Sequence, residues 1–373
     1  MSGSVTTWSV EEPLLPRNLD FKKILIAEDQ SINLIAANSI HLIGTLKEIR
    51  NNLIMGNNDS ISYSIMKPEF QPLFCVEIEG YSDTLFVATT EKLGFIENYR
   101  HLGNRDSRVV SEGISPRSQL DVETPNNLRY TGGSVDCMGR VWLMTSEGRN
   151  SSGQLFHLDK DWKPSNRRYV SVRRFGGIGW SLDEKTIYIH ELARNNCILA
   201  YDFDIETGII DMEKDRLFYE FKHPKECPTA FVIDSEDHMW CGVAGASRII
   251  RISPNSEVVG EIHLPPPHEA IDLQFIGNEL VILTRRLRTA EIFLMGSTAH
   301  EMLKNAKEAA YGNIFTVDTG YTGKPRHLYK LGPEELSLLK ISGLSLGNSL
   351  RDFIRGAADS VSVFHEYEAS RNV

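Results

Sequence analysis

Four side chains able to carry acid, base or fixed-charge chemistry fall at comparable points of a recurring pattern. They are Arg129 in "RYTGG", His190 and Glu191 in "TIYIHE", and Asp272 in "EAIDL". A guanidinium is a permanent cation whose planar fork holds a carbonyl, carboxylate or enolate oxygen. An imidazole beside a carboxylate can relay a proton near neutral pH, so His190 and Glu191 are expected as an acid/base couple. Asp272 serves either as a base or, in the preferred reading, as the anchor of Arg129. Thr131, Gly176, Thr229, Thr90, Thr284 and Arg285 are expected around them as the lining of a small-molecule site. Each has a bland alternative: a His beside a Glu is commonly incidental, and a threonine hydroxyl commonly satisfies loop backbone.

These positions matter only if one framework brings them together, and the sequence contains such a framework. "GGSVDCMGRVWLMT", "GIGWSLDEKTIYIHE" and "FVIDSEDHMWCGV" share one template of a short apolar strand, a polar turn and a second strand with an aromatic. The aromatics Trp142, Tyr188 and Trp240 recur at intervals of roughly 50 residues and are expected as core between sheets. Further strands follow each template in "GQLFHLD", "NCILAYDFD" and "SRIIRISP". Short alternating strands with this period predict an all-β fold, a six-bladed β-propeller occupying residues 1–330.

"GNIFTVDTGYTG" is expected to return to the first blade and close the ring, removing an exposed edge. "STAHEMLKNAKEAAYG" predicts a helical insertion, and "SLRDFIRGAADSV" a helical tail within a C-terminal extension, residues 331–373, packed outside the ring. In a propeller, starts of first strands and ends of second strands share one face. That rule places Arg129, Thr131, Gly176, Thr229 and Asp272 centrally, with Thr90, His190, Glu191, Thr284 and Arg285 on the rim.

Composition narrows the partners. A net charge of −10 argues against a nucleic-acid surface, and the basic run at 285–288 is isolated. No apolar run reaches the roughly 20 residues that span a bilayer, and no basic, then apolar N-terminus marks a signal peptide. Five scattered cysteines without paired spacing predict reduced thiols. The expectation is a cytoplasmic monomer or homodimer acting on a small molecule, without nucleic-acid or membrane partner.

From about Leu128 to Pro325, somewhat over half the chain, the sequence resembles the lactonase family of senescence marker protein (regucalcin), gluconolactonase and luciferin-regenerating enzyme. The blade pairs, "YDFDIETGII" and the closing "GNIFTVDTGYTGKP" carry the resemblance in the family's order. It implies a six-bladed propeller with a divalent metal at the centre of one face. The family's ligand motifs fall on altered residues here. Thr131 and Gly132 stand where Asn and Asp would be, Gly176 replaces a metal-binding Asn, and Thr229 replaces a metal-binding Asp. Trp180, Ser181, Pro228 and Asp234 hold that alignment, and neither "VEEP" nor "IAEDQ" supplies the family's Glu motif.

A hard cation such as calcium takes six to eight oxygens with carboxylates among them. The expectation is therefore no metal and no cofactor. The glycines suggest a widened, less polar pocket that positions an apolar, oxygen-bearing substrate for cyclisation or hetero-Diels–Alder cycloaddition. A similarity to fungal hetero-Diels–Alder enzymes of specialised metabolism points the same way, without a diagnostic motif. The alternatives are a lactone hydrolase with relocated ligands drawn from Asp272, Glu191 and an N-terminal Glu, or a non-catalytic ligand-binding propeller.

Overall fold

A computed structural model describes residues 5–10, 13–14, 21–36, 39–54, 62–65, 72–90, 93–96, 99, 129–146, 153–158, 160, 165, 169, 175–191, 196–223, 226–266, 268–286 and 313–332. The helical insertion and the helical tail expected from the sequence lie outside these residues.

Twenty-two strands and one helix are described. β1 (Thr6–Ser9) precedes the first sheet, which holds β2 (Phe21–Ile26), β3 (Ile32–Ala36), β4 (Ser39–Gly44) and β5 (Ser62–Ile65), with α1 (Leu46–Ile54) between the last two. The second sheet is β6 (Pro72–Ile78), β7 (Tyr81–Thr89) and β8 (Leu93–Ile96). The third is β9 (Arg129–Val135), β10 (Val141–Ser146) and β11 (Gly153–Leu158). The fourth is β12 (Phe175–Trp180), β13 (Thr186–Glu191), β14 (Cys197–Asp204) and β15 (Ile209–Glu220). The fifth is β16 (Cys227–Ile233), β17 (Met239–Ala244), β18 (Arg248–Ile252) and β19 (Val258–His263). The sixth is β20 (His268–Ile276), β21 (Glu279–Arg286) and β22 (Ile314–Asp318). The described residues thus make six antiparallel sheets. Their first strands β2, β6, β9, β12, β16 and β20 pack in that order, and β20 meets β2 again.

The repeated template has a physical cause. Asp136 closes the β9–β10 turn by accepting the Met138 and Arg140 amides at 3.0 Å, and its other oxygen accepts the Trp142 indole N–H at 2.8 Å. Asp234 repeats this with the Glu236 and His238 amides and with Trp240 at 2.9 Å. One residue of each such turn has a left-handed backbone: Gly139 at φ 80°, Glu184 at 61° and Asp237 at 62°. The aromatics expected as core are buried, Trp142 and Trp240 completely. Cys75, Cys197 and Cys241 are buried, Cys137 and Cys227 half-buried, and none of the five forms a disulfide.

Closure differs from expectation. Ile314–Asp318 does not join the first sheet; β22 is the third strand of the sixth, paired with β21. The seam is instead packed side chain to side chain, with Val281, Leu283 and Ile314 against Ile24, Ile26 and Leu34. Asp272 Oδ2 also accepts the Ile24 amide across it at 2.8 Å. The N-terminal β1 runs parallel to β19 as a fifth strand of the fifth sheet, and Trp8 lies 4.9 Å from Trp240, centroid to centroid. Gly260 makes that approach possible, because a Cβ there would meet the Trp8 ring. After β22 the chain crosses the far end of the ring as a strap. Its Lys324 amide bonds Ile233 O at 2.8 Å, Arg326 reaches Ala27 O at 2.9 Å, and Tyr329 bridges Ile78.

Candidate functional site: the bulged mouth of the ring

All six first strands carry an irregularity at the same end. Against the second strand of its sheet, each has extra residues just after its start: Lys22, Leu73, Thr131, Gly176–Gly177, Thr229–Ala230 and Ile271. A bulge bends the strand and re-aims the side chains beside it. Six bulges at one level make a mouth opposite the strap.

Three expected site residues, Thr131, Gly176 and Thr229, occupy bulges, and Asp272 follows one directly. Thr131 and Arg129 are exposed. Asp272 is buried, and its carboxylate is taken by β2: Oδ2 by the Ile24 amide and Oδ1 by the Lys23 ammonium at 3.3 Å. It anchors the seam, where the sequence reading had made it the anchor of Arg129. Lys23 is a mouth residue that sequence reasoning missed. The signal was present in "FKKILI", two cations opening an apolar strand.

His190 lies fully buried rather than on the rim. It is the β13 residue left unpaired opposite Gly176–Gly177, and its ring lies 4.6 Å from the Phe231 ring. Neither ring nitrogen makes a hydrogen bond of ordinary geometry, the Thr229 backbone being only a weak contact. Burial lowers its pKa to about 3, the Lys23 charge adding to this and the Thr229 backbone opposing it. The imidazole is therefore neutral. The Glu191 side chain lies outside the described residues, as does everything at Gly176 beyond its backbone.

Thr229 Oγ1 is buried without a partner, over Gly242, where a Cβ would collide with it. Thr284, expected on the rim, is buried; its hydroxyl donates to Asn313 O at 2.8 Å and accepts the Asn313 amide at 2.9 Å, fixing the residue that leads into β22. The Thr90 carbonyl accepts the Tyr130 amide at 2.9 Å. Arg285 binds Glu269 Oε2 at 2.9 Å, and Glu269 Oε1 accepts the Gly245 amide at 2.5 Å.

Gly177 and Gly179 of "FGGIGW" lie against neighbouring rings. A Cβ on Gly179 would stand 2.7 Å from Phe231 Cε2, and one on Gly177 would stand 3.4 Å from His190 Nδ1. Phe231 fills the room they leave. Below it an axial cavity of about 240 Å3 continues between the first strands, with Phe74, Ile178 and Phe275 on its walls, down to the strap at 323–328.

A closed ring of small sheets whose first strands pack around one axis is the architecture of a β-propeller. The chain belongs to the SMP-30/Gluconolactonase/LRE-like region family, whose model matches residues 40–284. A regucalcin of Xenopus laevis is 30% identical over 165 residues, 42% of this chain and 53% of that protein. An uncharacterised protein of Sulfolobus acidocaldarius is 32% identical over 142 residues, 37% of this chain and 50% of that one. The chain thus matches about half the length of these relatives. Among solved structures, a regucalcin of Agrobacterium tumefaciens described as calcium-binding superposes with a TM-score of 0.63 at 15% identity, covering 88% of this chain and all of that one.

The residues that the sequence resemblance puts at the family's ligand positions do not suit a hard cation. Thr131 and Thr229 offer neutral hydroxyls, Gly176 offers no side chain, and the Asp272 carboxylate holds Lys23 and the Ile24 amide. Among the described residues no three His, Cys, Asp or Glu side chains converge as a metal site. Among them, too, no helix is long and apolar enough to cross a membrane.

Proposed function

We propose that the chain is a lactone hydrolase that opens its substrate at the bulged mouth through its own side chains. The observation that carries the reading is the Lys23–Asp272 couple, an ammonium and a carboxylate 3.3 Å apart beside two neighbouring bulges. Membership of a gluconolactonase-like family supplies the reaction class. A carboxylate and a cation together suffice for the step. Asp272 takes a proton from water as the water oxygen bonds to the lactone carbonyl carbon. The negative charge arriving on the carbonyl oxygen meets the Lys23 ammonium. The ring C–O bond then breaks, and the leaving alkoxide recovers the proton from Asp272, giving a hydroxy acid. Arg129 and Thr131, exposed at the neighbouring bulge, are substrate contacts in this reading.

The relatives lend no support to cycloaddition, and the space beside Gly179 on β12 is taken by Phe231. The test is acid release from a panel of γ- and δ-lactones by chelator-treated protein. Turnover is expected, with kcat about a hundredfold lower in Asp272→Asn, the usual scale of a lost general base. Asn still accepts the Ile24 amide, so the seam survives. Failure on every lactone, or an unimpaired Asp272→Asn protein, would sink the reading.

A further inference from the structure

Two ion pairs at the mouth end of the sixth sheet share an orientation. In Lys23–Asp272 the side-chain exposures are 39% and 6%; in Arg285–Glu269 they are 38% and 2%. Both carboxylates belong to β20, are buried, and accept backbone amides from the neighbouring sheets, Ile24 on one side and Gly245 on the other. Their cations stand outward. A molecule entering the mouth at β20 therefore meets an ammonium and a guanidinium first. Lys22 and Arg129, also at the mouth, are exposed cations. At the opposite ends of the first strands Glu28, Asp29, Asp183 and Glu236 are exposed, together with the cations Lys185, Arg326 and Lys330.

We infer that the mouth takes a substrate carrying a carboxylate, held by Arg285 beside the Lys23–Asp272 couple. The inference rests on the lactonase reading and specifies its substrate class as lactones with a free carboxylate. Arg285 is the anchor because Glu269 fixes its guanidinium from behind, on the same strand that presents Asp272. Lys23 is left to face the reacting carbonyl. Sequence alone suggested a rim charge in "RRLR"; it could not show that the partner carboxylate would be buried beneath it.

The experiment compares hydrolysis of butyrolactone carboxylate, the lactone of a hydroxyglutarate, with that of its neutral carboxamide. A part-exposed charge pair predicts kcat/KM about five- to tenfold higher for the carboxylate, falling as salt rises to about 1 M. Arg285→Met should reduce that ratio towards one through KM. Because Met leaves Glu269 buried without its cation, Arg285→Lys and the salt dependence of the unaltered protein test the same point without that cost. Equal rates on both lactones would overturn the anionic substrate and leave lactone hydrolysis standing. Hydrolysis of neither lactone, with calorimetric binding of hydroxyglutarate that salt weakens, would remove the lactonase reading and keep the anion site. Neither hydrolysis nor binding overturns both.

Discussion

At the scale of single residues, the group that most needs explaining is His190. A buried imidazole with neither nitrogen in a hydrogen bond of ordinary geometry forgoes interactions it would have in water, and such groups are uncommon in folded proteins. Its folded pKa of about 3 lies below the ordinary 6.5. The unfolded chain therefore takes up a proton below about pH 6.5 that the folded chain refuses until about pH 3. Stability from this group is complete above that window and drains away as pH falls through it. His190→Leu removes the titration and replaces a weakly bonded polar ring by an apolar side chain, a change that can be neutral or stabilising. The expected result is a melting temperature at pH 7 within a few degrees of the parent and a flatter acid limb between about pH 6 and 4. An acid limb as steep as the parent's would show that other groups set it. A collapse of lactone turnover at unchanged stability would instead give His190 a place in the chemistry.

At the scale of strands and sheets, the mouth is shaped by how β12 and β16 lean on each other. Gly179 and Phe231 are one packing unit: the glycine lacks a side chain where the ring edge lies. Gly179→Ala should cost about 1–3 kcal/mol, the usual range for overpacking. The cost should shrink in combination with Phe231→Leu, because the smaller side chain vacates the contact. A denaturant double-mutant cycle with a coupling of about 1 kcal/mol is the expected outcome. Strict additivity would mean that strand movement, not the ring contact, absorbs the new methyl group.

The same pair shows what could be read in advance. The sheet template was legible because Asp136, Trp142, Asp234 and Trp240 repeat one local bonding pattern at a fixed offset. The bulge positions were legible in part, through the motif that ended on Thr131, Gly176 and Thr229. The occupant of the glycine space was not, because Phe231 belongs to another sheet, some fifty residues along the chain. Closure was misread for a similar reason. "GNIFTVDTG" has the alternation of a strand, but alternation names no partner, and the partner turned out to be β21. The parallel docking of β1 on β19 had no sequence signal beyond Trp8, whose seat over Gly260 is again a contact between distant segments.

At the scale of the whole molecule, the ring keeps the family's frame, and buried carboxylates tie its sheets together at the mouth. A metal bound on the axis would bridge several sheets and add to the stability of closure. In this chain two links that join sheets at the mouth are Asp272 to Ile24 and Glu269 to Gly245, each a carboxylate accepting a backbone amide from a neighbouring sheet. These bonds do mechanically what shared ligands would do, and they occupy the carboxylates a cation would need. Calcium should therefore not stabilise the fold. A ligand present at a hundred times its dissociation constant contributes about 2.7 kcal/mol, enough to raise the melting temperature by several degrees. Thermal unfolding of chelator-treated protein with and without millimolar calcium should differ by less than about one degree on the same scale. A rise of several degrees would mean that the ring does hold a cation through other donors. The Asp272 carboxylate would then have to be examined as a ligand before it could be kept as the base.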